Sequence, residues 1–133
     1  EYEMRGKLVR EGDVGSMGSF HGVVISGMAE GSWIIVGINN KGHVGAYDAA
    51  WDSGSTTLNK LDVDDELEEP LEDDHDPMIT IRVLPEGELM VIIDDQPPVE
   101  ISLPTEMPRQ SYPGIFAKGG RTILESFVIE NYP

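Results

Sequence analysis

Met78-Ile79-Thr80-Ile81-Arg82-Val83, then Pro85-Glu86-Gly87-Glu88, then Leu89-Met90-Val91-Ile92-Ile93, then Asp94-Asp95 and Pro97-Pro98: this stretch decides the fold. Ile79, Ile81 and Val83 fall on one face of an extended chain, with Thr80 and Arg82 on the other. Period-two alternation bounded by Pro, Gly and Asp is the signature of a strand, a turn and a strand. Leu84-Pro85-Glu86-Gly87 suits the turn, since Pro pre-sets φ at its first central position and Gly accepts φ > 0.

Working outward, the same alternation recurs. Tyr2, Met4, Gly6 and Leu8 alternate with Glu3, Arg5 and Lys7 in an opening strand. A Gly/Ser-rich loop over 11–19 leads to a second strand over 20–26 and a turn over 27–31. Residues 33–39 (Trp-Ile-Ile-Val-Gly-Ile-Asn) are apolar on both faces, as expected of a central strand covered on each side, with Trp33 in the core. Asn39-Asn40-Lys41-Gly42 reads as a hairpin turn returning residues 43–48 as a fourth strand. Residues 49–57 read as a small, polar loop around Trp51. After the central hairpin come a short strand over 99–103, a Pro-rich connection over 104–113, and strands over 114–118 and 121–130 across Gly119-Gly120. In the last strand Ile123, Glu125, Phe127 and Ile129 share one face, and Leu124, Ser126 and Val128 the other. No stretch carries a 3.6-residue period beyond two turns. About nine short strands predict an all-β, two-layer antiparallel β-sandwich.

At 133 residues the chain makes one domain with a real core. Beginning at Glu1 with strand pattern almost at once, it is expected to be excised from a longer protein, with neighbouring domains of the same chain as partners. The net charge of −16 argues against nucleic acid, whose phosphates it would repel, and against an anionic membrane surface. No apolar run approaches a membrane span. Cysteine is absent, so thiol catalysis and disulfides are excluded.

Tyr2-Glu3-Met4-Arg5-Gly6-Lys7-Leu8, Gly22-Val23-Val24-Ile25, Trp33-Ile34-Ile35-Val36-Gly37-Ile38, the 78–95 hairpin, and Gly114-Ile115-Phe116-Ala117 with Ser126-Phe127-Val128-Ile129 follow one another in a particular order. That order resembles the concanavalin A-like (laminin G-like) jelly-roll superfamily of lectins, carbohydrate-binding modules and glycosidases, including the 3-keto-disaccharide hydrolase-type domains of bacterial surface proteins. The resemblance implies a jelly roll, a glycan as partner, and an extracellular or cell-envelope location. Two departures stand out. Asp94-Asp95-Gln96 occupies a turn where the family often has Gly after Asp, and a strand that usually pairs with the last one is missing before Glu1.

Three functions compete. The first is a non-catalytic, lectin-like module binding glycan through Trp51, Tyr47, His43, Asn39 and Asp52, because sugar faces use aromatic rings beside amides and acids. The second is a sugar hydrolase. It needs two carboxylates, roughly 5–5.5 Å apart for retention or 6.5–9.5 Å for inversion. The family's retaining enzymes resemble E-x-D-x-x-E on one strand, which this chain lacks; Glu125 and Asp94 remain as acid/base candidates, with Glu125 more readily an edge residue paired to Arg82 or Arg121. The third is an interaction domain that pairs through an exposed sheet edge.

Ten acids crowd residues 61–76. Asp62, Asp64 and Glu66 offer oxygen ligands of the type calcium takes, but Leu67 and Asp73 stand where an EF-hand needs Gly and its last acid. The first expectation for such a run is a solvated loop that repels itself outward. His21, His43 and His75 share no metal-ligand spacing, and Met17, Met28, Met78, Met90 and Met107 read as core filler or loop residues.

Overall fold

The alternation around residues 78–93 becomes the middle of a sheet. In a computed structural model, which describes residues 2–27, 32–52, 54–61, 63, 66–84, 88–103 and 114–131, ten strands run in order. They are β1 (Tyr2–Glu11), β2 (Phe20–Gly27), β3 (Ser32–Asn39), β4 (Val44–Asp52), β5 (Ser55–Lys60), β6 (Met78–Val83), β7 (Glu88–Ile93), β8 (Val99–Ser102), β9 (Gly114–Lys118) and β10 (Arg121–Asn131). No helix occurs among the described residues. Two antiparallel five-stranded sheets, ordered β10-β1-β6-β7-β8 and β5-β4-β3-β2-β9, form a β-sandwich.

Burial follows the pattern read from sequence. Met4, Leu8, Ile79, Ile81, Val83, Leu89, Val91 and Ile93 of one sheet meet Val23, Ile25, Val36, Ile38, Val44 and Ala46 of the other in one core. Each fully buried aliphatic side chain stabilises the fold by about 1.5–3 kcal/mol. The second face of β3 is covered differently from a central layer. Ile35, Phe20 and Ala49 form their own cluster, roofed by Tyr47, Leu58 and Phe116, with the Phe20 and Tyr47 rings edge-to-face at 5.2 Å. Trp33 is not core: it sits at the start of β3 on this outer side, 37 % exposed, because Ile34, Val36 and Ile38 take the inward phase.

Two further expectations change. The polar stretch around Trp51 is no loop: β4 continues through Asp52 and β5 pairs back on it, with Trp51 opposite Thr56. Ser55, Thr56 and Thr57 give β5 almost no apolar alternation, but the β-branched threonines suit a strand. In β10 the alternation breaks at Ser126. Its φ is 54°, and the register against β1 slips between Arg5 and Lys7, so one extra residue stands opposite Gly6. This β-bulge reverses the phase of the strand. Ile123 and Glu125 lie outward opposite Val9 and Lys7, whereas Ile129 faces inward opposite core residue Met4. Phe127 turns inward with it, its ring close to Gly6. Glu125 and Ile129 therefore do not share a face. Nor does Glu125 take the expected arginines: Arg121 binds Glu11 and Arg82 reaches Glu3.

The registers also sort the connections. Glu11 faces Arg121, Phe20 faces both Lys118 and Asn39, and Ile79 faces Ile93. The β1–β2 loop, the β3–β4 turn, the β7–β8 turn and the β9–β10 turn thus gather at one end of the sandwich.

A serine held at φ 54° is strained relative to glycine. Ser126→Gly should leave stability unchanged or raise it slightly, whereas Ser126→Val should lower it by about 1–2 kcal/mol. Urea unfolding followed by circular dichroism reads the difference, and equal midpoints for the two variants would contradict the bulge.

Candidate functional site

The acidic segment is the chief departure from expectation. It does not project from the fold. Its described residues, 61, 63 and 66–77, lead from β5 of one sheet to β6 of the other over the end where the turns gather, and they are fastened at several points. Leu61 and Leu67 are buried in the core, and Val63 bridges to Ile101 on the free edge of β8. Glu69 and Gln96 exchange two hydrogen bonds: the Glu69 N–H donates to Gln96 Oε1 at 3.2 Å and Gln96 Nε2 donates to the Glu69 carbonyl at 3.0 Å. The Leu71 N–H donates to the Gly42 carbonyl at 2.9 Å. Gly42 (φ 79°) is required there, because a Cβ would collide with the Leu71 carbonyl.

Arg10 is the pin. Only 5 % exposed, its Nη2 donates to the carbonyls of Glu72 at 2.9 Å and His75 at 2.8 Å, while its own N–H donates to Asp76 Oδ1 at 3.1 Å. Burial lowers the pKa of this guanidinium from its ordinary value, and the neighbouring Asp76 and Asp73 act in the opposite sense. Hydrogen bonds from a charged donor contribute about 1.5–3 kcal/mol each. Exposed like charges about 4 Å apart repel by only about 1 kcal/mol in water. Each contact of this kind therefore outweighs the repulsion of any one exposed pair.

Among the described residues, three recesses open along this seam. In the largest, about 680 Å³, Glu68, Glu72 and Asp74 of the strap face Asp94, Asp95 and Gln96 of the β7–β8 turn. Asp94 is a turn residue at φ 50°. Its Oδ1 accepts the Met78 N–H at 2.9 Å and its Oδ2 lies 2.8 Å from His75 Nε2. Both oxygens are thus engaged in closing the turn and holding the strap. A second recess, about 390 Å³, lies between the β1–β2 loop and the strap and is lined by Arg10, Asp13, Ser16 and Asp73.

The third recess, about 540 Å³, brings together three of the five residues expected to bind ligand. Asn39, His43 and Tyr47 line it with Lys41, Lys60 and Glu66, over a floor that includes Val44 and Leu61. The β3–β4 turn positions the first of these. Asn39 Oδ1 accepts the N–H groups of Lys41 at 2.9 Å and His43 at 3.1 Å, the local geometry that made Asn a turn residue in the sequence. Tyr47 is oriented by the Phe20 ring. His43 Nε2 stands 3.9 Å from Glu66 Oε2, and its Nδ1 is buried without a hydrogen bond among the described residues. Neither Lys41 nor Lys60 has an ion pair among the described residues, whereas Arg5 and Arg121 are paired with Glu130 and Glu11.

The remaining candidates fall elsewhere. Trp51 and Asp52 belong to β4, and their side chains lie outside the described residues, as do Asp62 and Asp64 altogether. Glu66 lines the recess beside His43 rather than a described ligand cluster; among the described residues no three His, Asp or Glu side chains converge as metal ligands would. Glu125 is exposed on the edge strand, opposite Lys7. Lys41, Lys60 and Arg10 were not singled out by sequence reading. Lys41 had a signal, its place inside the turn; the other two are brought in only by tertiary structure. No known protein-family model matches this chain, and no curated protein matches it in sequence.

Replacing Arg10 by Leu should loosen the strap more than the sandwich. Cleavage by a glutamate-specific protease at Glu68 or Glu72 should become faster by at least tenfold under native conditions, with overall stability lower by about 2–4 kcal/mol. Unchanged cleavage would show that Arg10 does not hold the strap.

Proposed function

We propose that this domain is a non-catalytic carbohydrate-binding module, with a saccharide seated in the recess between the β3–β4 turn and the strap. The observation that carries this reading is the convergence of Asn39, His43 and Tyr47 with Lys41, Lys60 and Glu66 over an apolar floor. A sugar ring offers apolar C–H faces and a girdle of hydroxyls. Val44, Leu61 and Tyr47 match the first, and amide, imidazole, carboxylate and ammonium groups match the second as donors and acceptors. The Asn39 turn and the Phe20–Tyr47 contact hold part of this set in place before binding, which reduces the ordering cost of association.

On the same reading the sandwich is a concanavalin A-like jelly roll acting at a cell envelope or outside the cell. The hydrolase alternative has less support. Glu125 stands on an outward edge, and Asp94 spends both carboxylate oxygens on Met78 and His75. Glycosidic cleavage requires two carboxylates free to flank one bond.

A glycan array followed by calorimetric titration tests the proposal. His43→Ala and Lys60→Ala should each weaken the best saccharide about tenfold, the loss of roughly one hydrogen bond of 1.4 kcal/mol. Glu125→Gln should bind as wild type. Absence of any bound saccharide, or equal affinity across the three variants, would overturn it.

A further inference from the structure

The two long sides of the sandwich are closed unequally. On the side of β5 and β8 the strap buries Leu61 and Leu67 and pairs with the β8 edge through Val63. On the other side β9 and β10 are both edge strands, joined by the Gly119-Gly120 turn. Four of the seven large hydrophobic side chains exposed among the described residues lie here: Ile115, Phe127, Val128 and Ile129. Three of them occupy inward positions. Ile115 is opposite core residue Val23 and Ile129 opposite core residue Met4, with Phe127 against Gly6. Yet Ile115 is 53 % and Ile129 46 % exposed. Among the described residues, the interior of the sandwich is therefore open to solvent along these strands.

Edge strands are ordinarily blunted by Lys, Pro or a bulge. Here the Ser126 bulge protects only the upper half of β10; Phe127-Val128-Ile129-Glu130-Asn131 carries neither Lys nor Pro. Charge also separates this side from the strap. Residues 61–77 hold ten of the acids and no Lys or Arg, whereas in 114–131 Lys118 and Arg121 balance Glu125 and Glu130. A like-charged copy would be repelled by the strap but not by this hairpin.

We propose that the free edge of β10 pairs antiparallel with the β10 edge of a second copy about a twofold axis at Val128. That register is self-complementary. Phe127 stands opposite Ile129 of the partner subunit, and Glu130 opposite the partner's Ser126. No like charges face one another, and the inward faces of the two subunits coincide. The two five-stranded sheets become one of ten strands, an isologous contact that closes on itself and stops at the dimer. A partner of another sequence would need to match this alternation; the chain already matches itself.

The chain's lack of cysteine makes the test direct. Directly opposed residues of an antiparallel pair have Cα atoms about 4.5–5.5 Å apart, within disulfide reach. Val128→Cys should oxidise to a covalent dimer at dilute concentration, while Met17→Cys, exposed on the β1–β2 loop, should not. In sedimentation equilibrium the wild-type mass should rise towards twice the monomer with concentration, and further with added salt, which screens the net −16 charge. Ile129→Lys should remain monomeric with an unchanged circular dichroism spectrum. If that variant fails to fold, Val128→Lys, outward opposite Arg5, serves in its place. A wild-type monomer at every concentration and salt would overturn the proposal and leave the edge to a different polypeptide. Equal cross-linking of the two cysteine variants, or open-ended oligomers, would overturn it as well.

Discussion

Ten carboxylates within seventeen residues have to be held against the body of a protein whose net charge is already −16. The molecule meets this constraint with one buried cation and two buried leucines. Arg10 reaches the carbonyls of Glu72 and His75 from β1, and Leu61 and Leu67 anchor the strap in the core. Each buried leucine contributes about 1.5–3 kcal/mol, and each charged hydrogen bond a comparable amount, so each anchor exceeds the repulsion of any one pair of solvated acids. Glu66, Glu68, Glu69, Glu72, Asp73 and Asp74 are exposed to water, Asp76 accepts the Arg10 N–H, and the described backbone between them is tied down. Released from these contacts, the segment would behave as the mobile loop its composition suggests.

The strap explains why the recesses lie where they do. Without it the β3–β4, β7–β8 and β1–β2 connections would end in open solvent. With it, each connection becomes one wall of a cleft whose other wall is acidic. The clefts then differ through what the turn contributes. The β7–β8 turn adds further acid and a residue, Asp94, already committed to structure. The β3–β4 turn adds an amide, an imidazole and a lysine, and β5 adds Lys60, so of the three recesses this one sets two lysines against a single acid, Glu66. Selectivity among chemically similar clefts thus comes from the turns, while the strap supplies their enclosure.

The sandwich was legible because alternation maps directly onto two-sided strands, as in residues 78–93 and 2–8. The β3–β4 turn was legible too, since Asn39-Asn40-Lys41-Gly42 encodes its own geometry, and beside it Asn39, His43 and Tyr47 line one recess, while the side chain of Trp51, expected on the same surface, lies outside the described residues. What local pattern cannot carry was missed. β5 is built from Ser and Thr with a single apolar residue, Leu58, packed against an outer cluster. The phase reversal in β10 depends on a serine at positive φ, a conformation with no marker in the sequence when glycine is absent. The fastening of the strap depends on Arg10, about sixty residues away along the chain, and on a gap left by Gly42. Composition alone predicts a solvated loop there, because like charge is local and the contacts that overcome it are not.

Hydrogen exchange of the wild-type protein over residues 66–77, read by mass spectrometry or NMR at neutral pH, is the most direct test of this account. A fastened strap predicts slow exchange at the Leu71 amide, which donates to Gly42, and at the His75 amide, which donates to the Glu72 carbonyl. Their protection should approach that of β6 rather than that of an unstructured chain. Exchange of these amides at the unprotected rate, with β6 and β7 still protected, would contradict it.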